Sequence, residues 1–96
     1  METLMTRIER LRKRQERIKR AVAENLDLLI GTVNKTPAQS GYYLTAKIDG
    51  KSVTRYVRAS IRQEAKAMTR RHVKMRGLLR QLSQVNWDLL VAESGM

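Results

Sequence analysis

Apolar residues recur along this chain in three rhythms, and the changes of rhythm mark out its elements. Leu4, Ile8, Leu11, Gln15, Ile18, Val22, Asn25 and Leu29 stand alternately four and three residues apart, the spacing of a heptad seam on one helix face. Thr6-Arg7-Ile8-Glu9 has the form of a capping box, in which the Thr6 hydroxyl and the Glu9 carboxylate each satisfy a backbone N–H at the helix start. The pattern predicts a first helix over about residues 4–30, ended by Gly31. Residues 31–41, GTVNKTPAQSG, hold the only Pro and two Gly and predict a loop.

From Tyr42 the rhythm shifts to period two. YYLTAKI and KSVTRYV flank Asp49-Gly50, and Asp-Gly between β-branched and aromatic runs predicts a hairpin over residues 42–58, because a type I′ turn needs positive φ at both central positions. The register follows from the turn. Ile48 faces Lys51, Ala46 faces Val53, Leu44 faces Arg55 and Tyr42 faces Val57 on the apolar side; Tyr43 faces Tyr56, Thr45 faces Thr54 and Lys47 faces Ser52 on the other. A lone ribbon is marginal in water, so its apolar side needs cover from the helices, first from the nearly uncharged Leu26–Ile30 end of the first one.

Ser60-Ile61-Arg62-Gln63 is a second capping box. Ile61, Ala65, Met68, His72, Met75, Leu79, Leu82, Asn86 and Leu89 then form a second seam and predict a helix over about residues 60–92. The expected fold class is mostly α with one β-hairpin, in a single domain over residues 1–96. It consists of a long N-terminal helix, a two-stranded antiparallel ribbon and a long C-terminal helix. The helices, each about 40 Å long, pair as an antiparallel coiled coil with the ribbon at the turning end.

Composition narrows the chemistry. The chain has no Cys, no Phe and one Trp, which removes disulfides, thiolate metal ligands and thiol nucleophiles together. It has no run of about 18 apolar residues and no secretory core, so the expectation is a cytoplasmic protein that does not enter a membrane. His72 sits between Met68 and Met75 with no second His, Cys or carboxylate at ligand spacing, and reads as a packed seam residue rather than a zinc or haem ligand. Gln15 and Asn25 are polar seam positions of the kind that set register or partner number. Neither Gly-x-Gly-x-x-Gly nor a phosphate-cradling Gly-x-x-x-x-Gly-Lys-Ser/Thr occurs, and no nucleophile, base and orienting group can be assembled, so a binding protein without cofactor is expected, not an enzyme. Leu78, Val85, Trp87 and Leu90 widen the second helix's apolar surface beyond what one partner helix covers, which predicts a homo-oligomer.

Charge then changes the picture. Twenty Lys and Arg against nine Asp and Glu leave +11, a self-repulsion that a polyanion relieves. Solvated surfaces mix the two signs more evenly than this, and nucleic acid is the polyanion such a balance fits. Between residues 7 and 20, eight cations face only Glu9 and Glu16. The candidate phosphate ligands are Arg7, Arg10, Lys13, Arg14, Arg17 and Arg20 on the first helix, Lys47 and Arg58 on the hairpin, and Arg62, Lys66, Arg70, Arg71 and Lys74 on the second helix. Phosphate contacts position a protein, and other groups must read the nucleic acid. Tyr43 and Tyr56 are the candidates, entering a major groove on the ribbon or stacking on unpaired bases. The alternative for the pair is cross-strand packing that stabilises the ribbon.

Gly41-Tyr42-Tyr43-Leu44-Thr45-Ala46-Lys47, then Gly50 to Val57 (GKSVTRYV), then Arg76 to Asn86 (RGLLRQLSQVN), resemble a family of short uncharacterised prokaryotic proteins whose genes are often found near transposases. The similarity covers about residues 28–90, and its most specific piece is the Gly-Tyr-Tyr hairpin ending in Arg-Tyr-Val. Many relatives carry a Cys-rich loop before the hairpin. Here Val33 to Ser40 is short and has no Cys, so the resemblance implies no metal site for this chain, only a mobile-element context.

Two functions follow as expectations. The first is a nucleic-acid-binding accessory protein of a mobile element or phage, holding DNA or structured RNA, with a transposase or other mobile-element protein as a further partner. The alternative is a coiled-coil interaction protein docking on an acidic partner such as a transposase, nuclease or defence complex, where the charge steers encounter.

Overall fold

The computed structural model describes residues 3–35 and 40–95. In chain order these form α1 (Leu4–Glu24), β1 (Thr32–Lys35), β2 (Tyr42–Ile48), β3 (Lys51–Val57), a 3-10 turn (Ala59–Ile61) and α2 (Arg62–Glu93). The fold is mostly helical with one three-stranded antiparallel sheet in the order β1-β2-β3. The chain divides into two compact units, Met1–Asn25 with Met75–Met96, and Leu26–Lys74.

In the first unit, α1 is capped by Thr3, not by the Thr6 box: the Thr3 side chain accepts from the backbone N–H of Thr6 at 3.1 Å. The helix stops at Glu24, short of the expected end at residue 30. Asn25 ends it by leaving helical geometry while its N–H bonds Val22 O and its side-chain amide turns back to Ala21 O at 2.7 Å. It thereby satisfies carbonyls that a helix end leaves open, so Asn25 is a cap and not a register-setting seam residue.

From Ile8 to Val22 the first seam packs as its spacing predicts, whereas Leu4, expected on it, is 51% exposed in the first turn of the helix. Ile18 is buried against Val85 and Leu89, with Ile8, Leu11, Val22 and Leu82 around them. Arg12 meets Glu93 and Gln15 meets Asn86, so α1 and the Met75–Glu93 part of α2 run antiparallel. On α2 the seam is shifted at alternate positions. Met75, Val85, Leu89 and Ala92 are buried and Leu78 and Leu82 half-buried, whereas Leu79, expected inside, is 50% exposed. Leucine at both 78 and 79 leaves the three-four alternation ambiguous there. The next turn decides it, because apolar Val85, with no exposed surface, goes in and Asn86 stays at the rim.

In the second unit the hairpin has the expected register from Tyr42↔Val57 to Ile48↔Lys51. Its turn has φ of 51° at Asp49 and 79° at Gly50, the pair of positive values that Asp-Gly supplies. The two-stranded ribbon is corrected to three strands. Part of the expected loop over residues 31–41 is β1, which pairs with β2 from Thr32↔Thr45 to Lys35↔Tyr42; residues 36–39 of that loop lie outside the described residues. Gly31 makes the entry possible: its φ is +132°, and a Cβ there would lie 2.5 Å from Thr45 O.

Val33, Leu44 and Val57 pack on Ala65 of α2, with Leu29 and Tyr42 against them. Leu29 therefore covers the sheet as expected, but from an irregular segment. Its N–H bonds Met68 O at 3.1 Å, and the Arg71 guanidinium donates to Asp27 O at 2.9 Å. Because residues 62–74 of α2 serve this sheet, a coiled coil along the full length of both helices does not form. The second capping box is also replaced, since Ser60 lies inside the 3-10 turn and α2 begins at Arg62.

Candidate nucleic-acid interface

The cations of α1 are sorted by the helical repeat. At 3.6 residues per turn, Arg7, Arg10, Lys13, Arg14, Arg17 and Arg20 fall within an arc of about 140°, over a length of about 20 Å. All six are exposed. Glu9 and Glu16 lie outside the arc, and so do Arg12, paired with Glu93, and Lys19, paired with Glu16 at 3.9 Å. Among the described residues Arg7, Lys13, Arg14, Arg17 and Arg20 have no ion pair. Their like charges reinforce one another on a single flank, and Glu24 closes it at the C-terminal end. Arg14 and Arg17 also border a shallow hollow floored by Ile18, Ala21 and Leu78.

The sheet, in the second unit, supplies a second candidate surface. Its inner face carries the core; its outer face carries Tyr43 and Tyr56, with ring centroids 5.6 Å apart and planes at 67°, an edge-to-face pair. Tyr43 is half-buried and Tyr56 is 63% exposed. Tyr56 is braced from below as well, since a Cβ on Gly41 would lie 2.8 Å from its Cε1. Lys47 is exposed near the turn, and Arg58 is exposed just after β3.

β1 adds two residues to this face that the sequence reading missed. Asn34 stands opposite Tyr43, and Thr32 opposite Thr45. A strand of four residues with one buried side chain, Val33, is too short to announce itself by periodicity. The usable signal was Gly31 in front of a single polar-apolar-polar alternation.

The α2 cations divide by use. Arg62 lies over the Tyr42 ring with Cζ 3.9 Å from its centroid, and Lys66 Nζ is 5.0 Å from the same centroid. Arg62 Nε is buried with no hydrogen-bond partner, as expected of a guanidinium stacked on a ring. Arg71 bonds Asp27 O and reaches Glu64 at 3.4 Å. Those three hold the second unit together, while Arg70 and Lys74 are exposed. His72 is half-buried on α2.

The fold and these surfaces define a small basic, mostly helical protein with an exposed cationic helix flank and a tyrosine-bearing antiparallel sheet. Among the described residues no helix is long and apolar enough to cross a membrane. No protein-family model, no curated protein and no solved structure matches the chain.

Proposed function

We propose that this chain is a nucleic-acid-binding accessory protein, acting in the context of a mobile element or phage, that grips phosphates with the arginine flank of α1. The observation that supports it most is the segregation of charge on that helix. Ion pairs draw Arg12 and Lys19 to carboxylates off the arc, and five exposed cations along about 20 Å keep no counter-charge among the described residues. Cations held at that density against self-repulsion favour a polyanion that displaces its own counterions on binding.

Titration of labelled duplex DNA and of a structured RNA at two salt concentrations tests the reading. Binding should weaken steeply as salt rises, by a slope of about 0.9 per duplex phosphate contacted. Absence of binding to either at low salt, by protein that is folded, removes it.

The second reading, an interaction protein for an acidic partner, draws on a different observation. Leu79, Trp87 and Leu90 of α2 are 50%, 60% and 64% exposed, more apolar surface than the charged flank of α1 offers. The same row supports self-association of the chain. Copurification before and after nuclease treatment separates a protein partner from a nucleic-acid bridge, and molar mass by light scattering measures self-association.

A further inference from the structure

The third strand changes what the sheet's outer face presents. Asn34, Tyr43 and Tyr56 form one row across β1, β2 and β3; Thr32, Thr45 and Thr54 form the next row toward the turn. Of these six only Tyr43 is half-buried, and the others are exposed. Nothing in the packing requires this composition, because the core lies on the opposite face with Val33, Leu44 and Val57. Two rings, one amide and a row of small hydroxyls make an uncharged patch, with Lys47 beyond it, on an otherwise strongly cationic protein.

We propose that this outer face is a platform for the unpaired bases of a single-stranded nucleic acid, an inference that rests on the nucleic-acid reading above and names its ligand more closely. One base stacks on Tyr56. Asn34, in the same row, pairs its amide with a base edge, and Lys47, four residues beyond Tyr43 and therefore about 13 Å along β2, takes a phosphate of the same strand. Tyr56 is held ready for this by Tyr43 at 5.6 Å and by the close approach of Gly41, so little side-chain freedom is lost when a base arrives.

The composition of the face favours a single strand over a duplex. Arginine makes the commonest specific contact in the major groove, and none of the outward positions of the three strands is arginine. A tyrosine ring stacks on a base only where the base's own face is uncovered, and in a duplex neighbouring bases cover it. The threonine row beside the rings is short and uncharged, which leaves room for a second base or a sugar next to the first.

The test uses the full chain and a fluorescent 12-nucleotide mixed-sequence strand in four forms: single-stranded, duplex, the same strand with abasic sugars in place of its bases, and the RNA counterpart. Anisotropy titration should show the base-bearing strand binding roughly tenfold or more tighter than the abasic strand. Tyr56→Ala should remove that difference and Tyr56→Phe retain it, with Asn34→Ala, at an exposed edge-strand position, lowering it. Far-UV circular dichroism and melting confirm that each variant is folded, and the DNA and RNA arms identify which strand is the better ligand. Equal affinity for base-bearing and abasic strands, or tighter binding of the duplex, overturns the platform while leaving the phosphate-gripping reading intact. Failure of every form to bind at low salt overturns both.

Discussion

The side-chain amide of Gln15 donates to the carbonyl oxygen of the Asn86 side chain at 2.8 Å, joining two polar groups beside a seam of aliphatic residues. Only one pairing of α1 with the second part of α2 lets these two meet, so the bond reports their register. Replacing either residue by Leu should lower stability by about 1 kcal/mol. A double-mutant cycle with Gln15→Leu and Asn86→Leu, followed by urea melting, should give a coupling of about 0.5–1.5 kcal/mol, and additive effects would mean that the bond carries no net stability.

Val85 and Leu79 test which side of α2 faces α1. Val85 has no exposed surface, and Val85→Ala should destabilise by about 2–3 kcal/mol. Leu79 is 50% exposed, and Leu79→Ala should stay within about 0.5 kcal/mol. The reverse order would restore the seam that Leu79 and Asn86 suggest.

Gly31 and Gly50 both have positive φ, yet they should respond differently. At Gly31 a Cβ would strike Thr45 O, so Gly31→Ala should cost about 1–3 kcal/mol and release β1, seen as faster amide hydrogen exchange at Val33. Around Gly50 nothing lies within 4 Å, and Gly50→Asn, which tolerates the left-handed region, should cost no more than a few tenths of a kcal/mol. Equal losses at the two sites would show that backbone conformation alone, and not the approach of β1 to β2, sets the requirement.

Arg14→Gln with Arg17→Gln should leave the melting temperature within a degree or two, since both side chains are exposed and without an ion pair among the described residues. The same pair should lower the salt slope for duplex DNA by about 1.8 if both touch phosphate. Arg12→Gln is the control: it removes an exposed ion pair with Glu93, should cost no more than about 1 kcal/mol, and should leave the slope unchanged. An unchanged slope in the double variant would exclude this flank from the interface.

Much of this architecture is legible in the residues. Asp49-Gly50 dictates the turn, and the turn dictates every cross-strand pair from Tyr42 to Val57. The first seam reads correctly from Ile8 to Val22 because Ile and Leu there have no apolar neighbour competing for the inward position. Three features were hidden, each by a tertiary effect that outweighs local pattern. Asn25 fits a heptad by spacing but is better satisfied bonding Ala21 O, and Leu29 gains more by covering Val33 and Leu44 than by extending a helix. β1 depends on a single buried valine and on a glycine whose purpose appears only once β2 lies beside it. Of the candidate interface, the α1 cations could be placed on one flank from the 3.6-residue repeat alone. The stacking of Arg62 and Lys66 on Tyr42, and the use of Arg71 as a tether for the segment at Asp27, depend on long-range neighbours that no local spacing encodes.

Six cations on one flank of α1, and Glu9 and Glu16 balanced by Arg12 and Lys19 outside it, give this helix a sideways electrical polarity. At 0.1 M salt that field decays over about 10 Å, so it acts before any atoms touch. Under the proposed function, an approaching polymer of phosphates would be swung round to the arginine side during its last few molecular diameters of diffusion. The choice of landing side would then be made by the solution around the helix, and collisions on the electrically balanced side would end in departure.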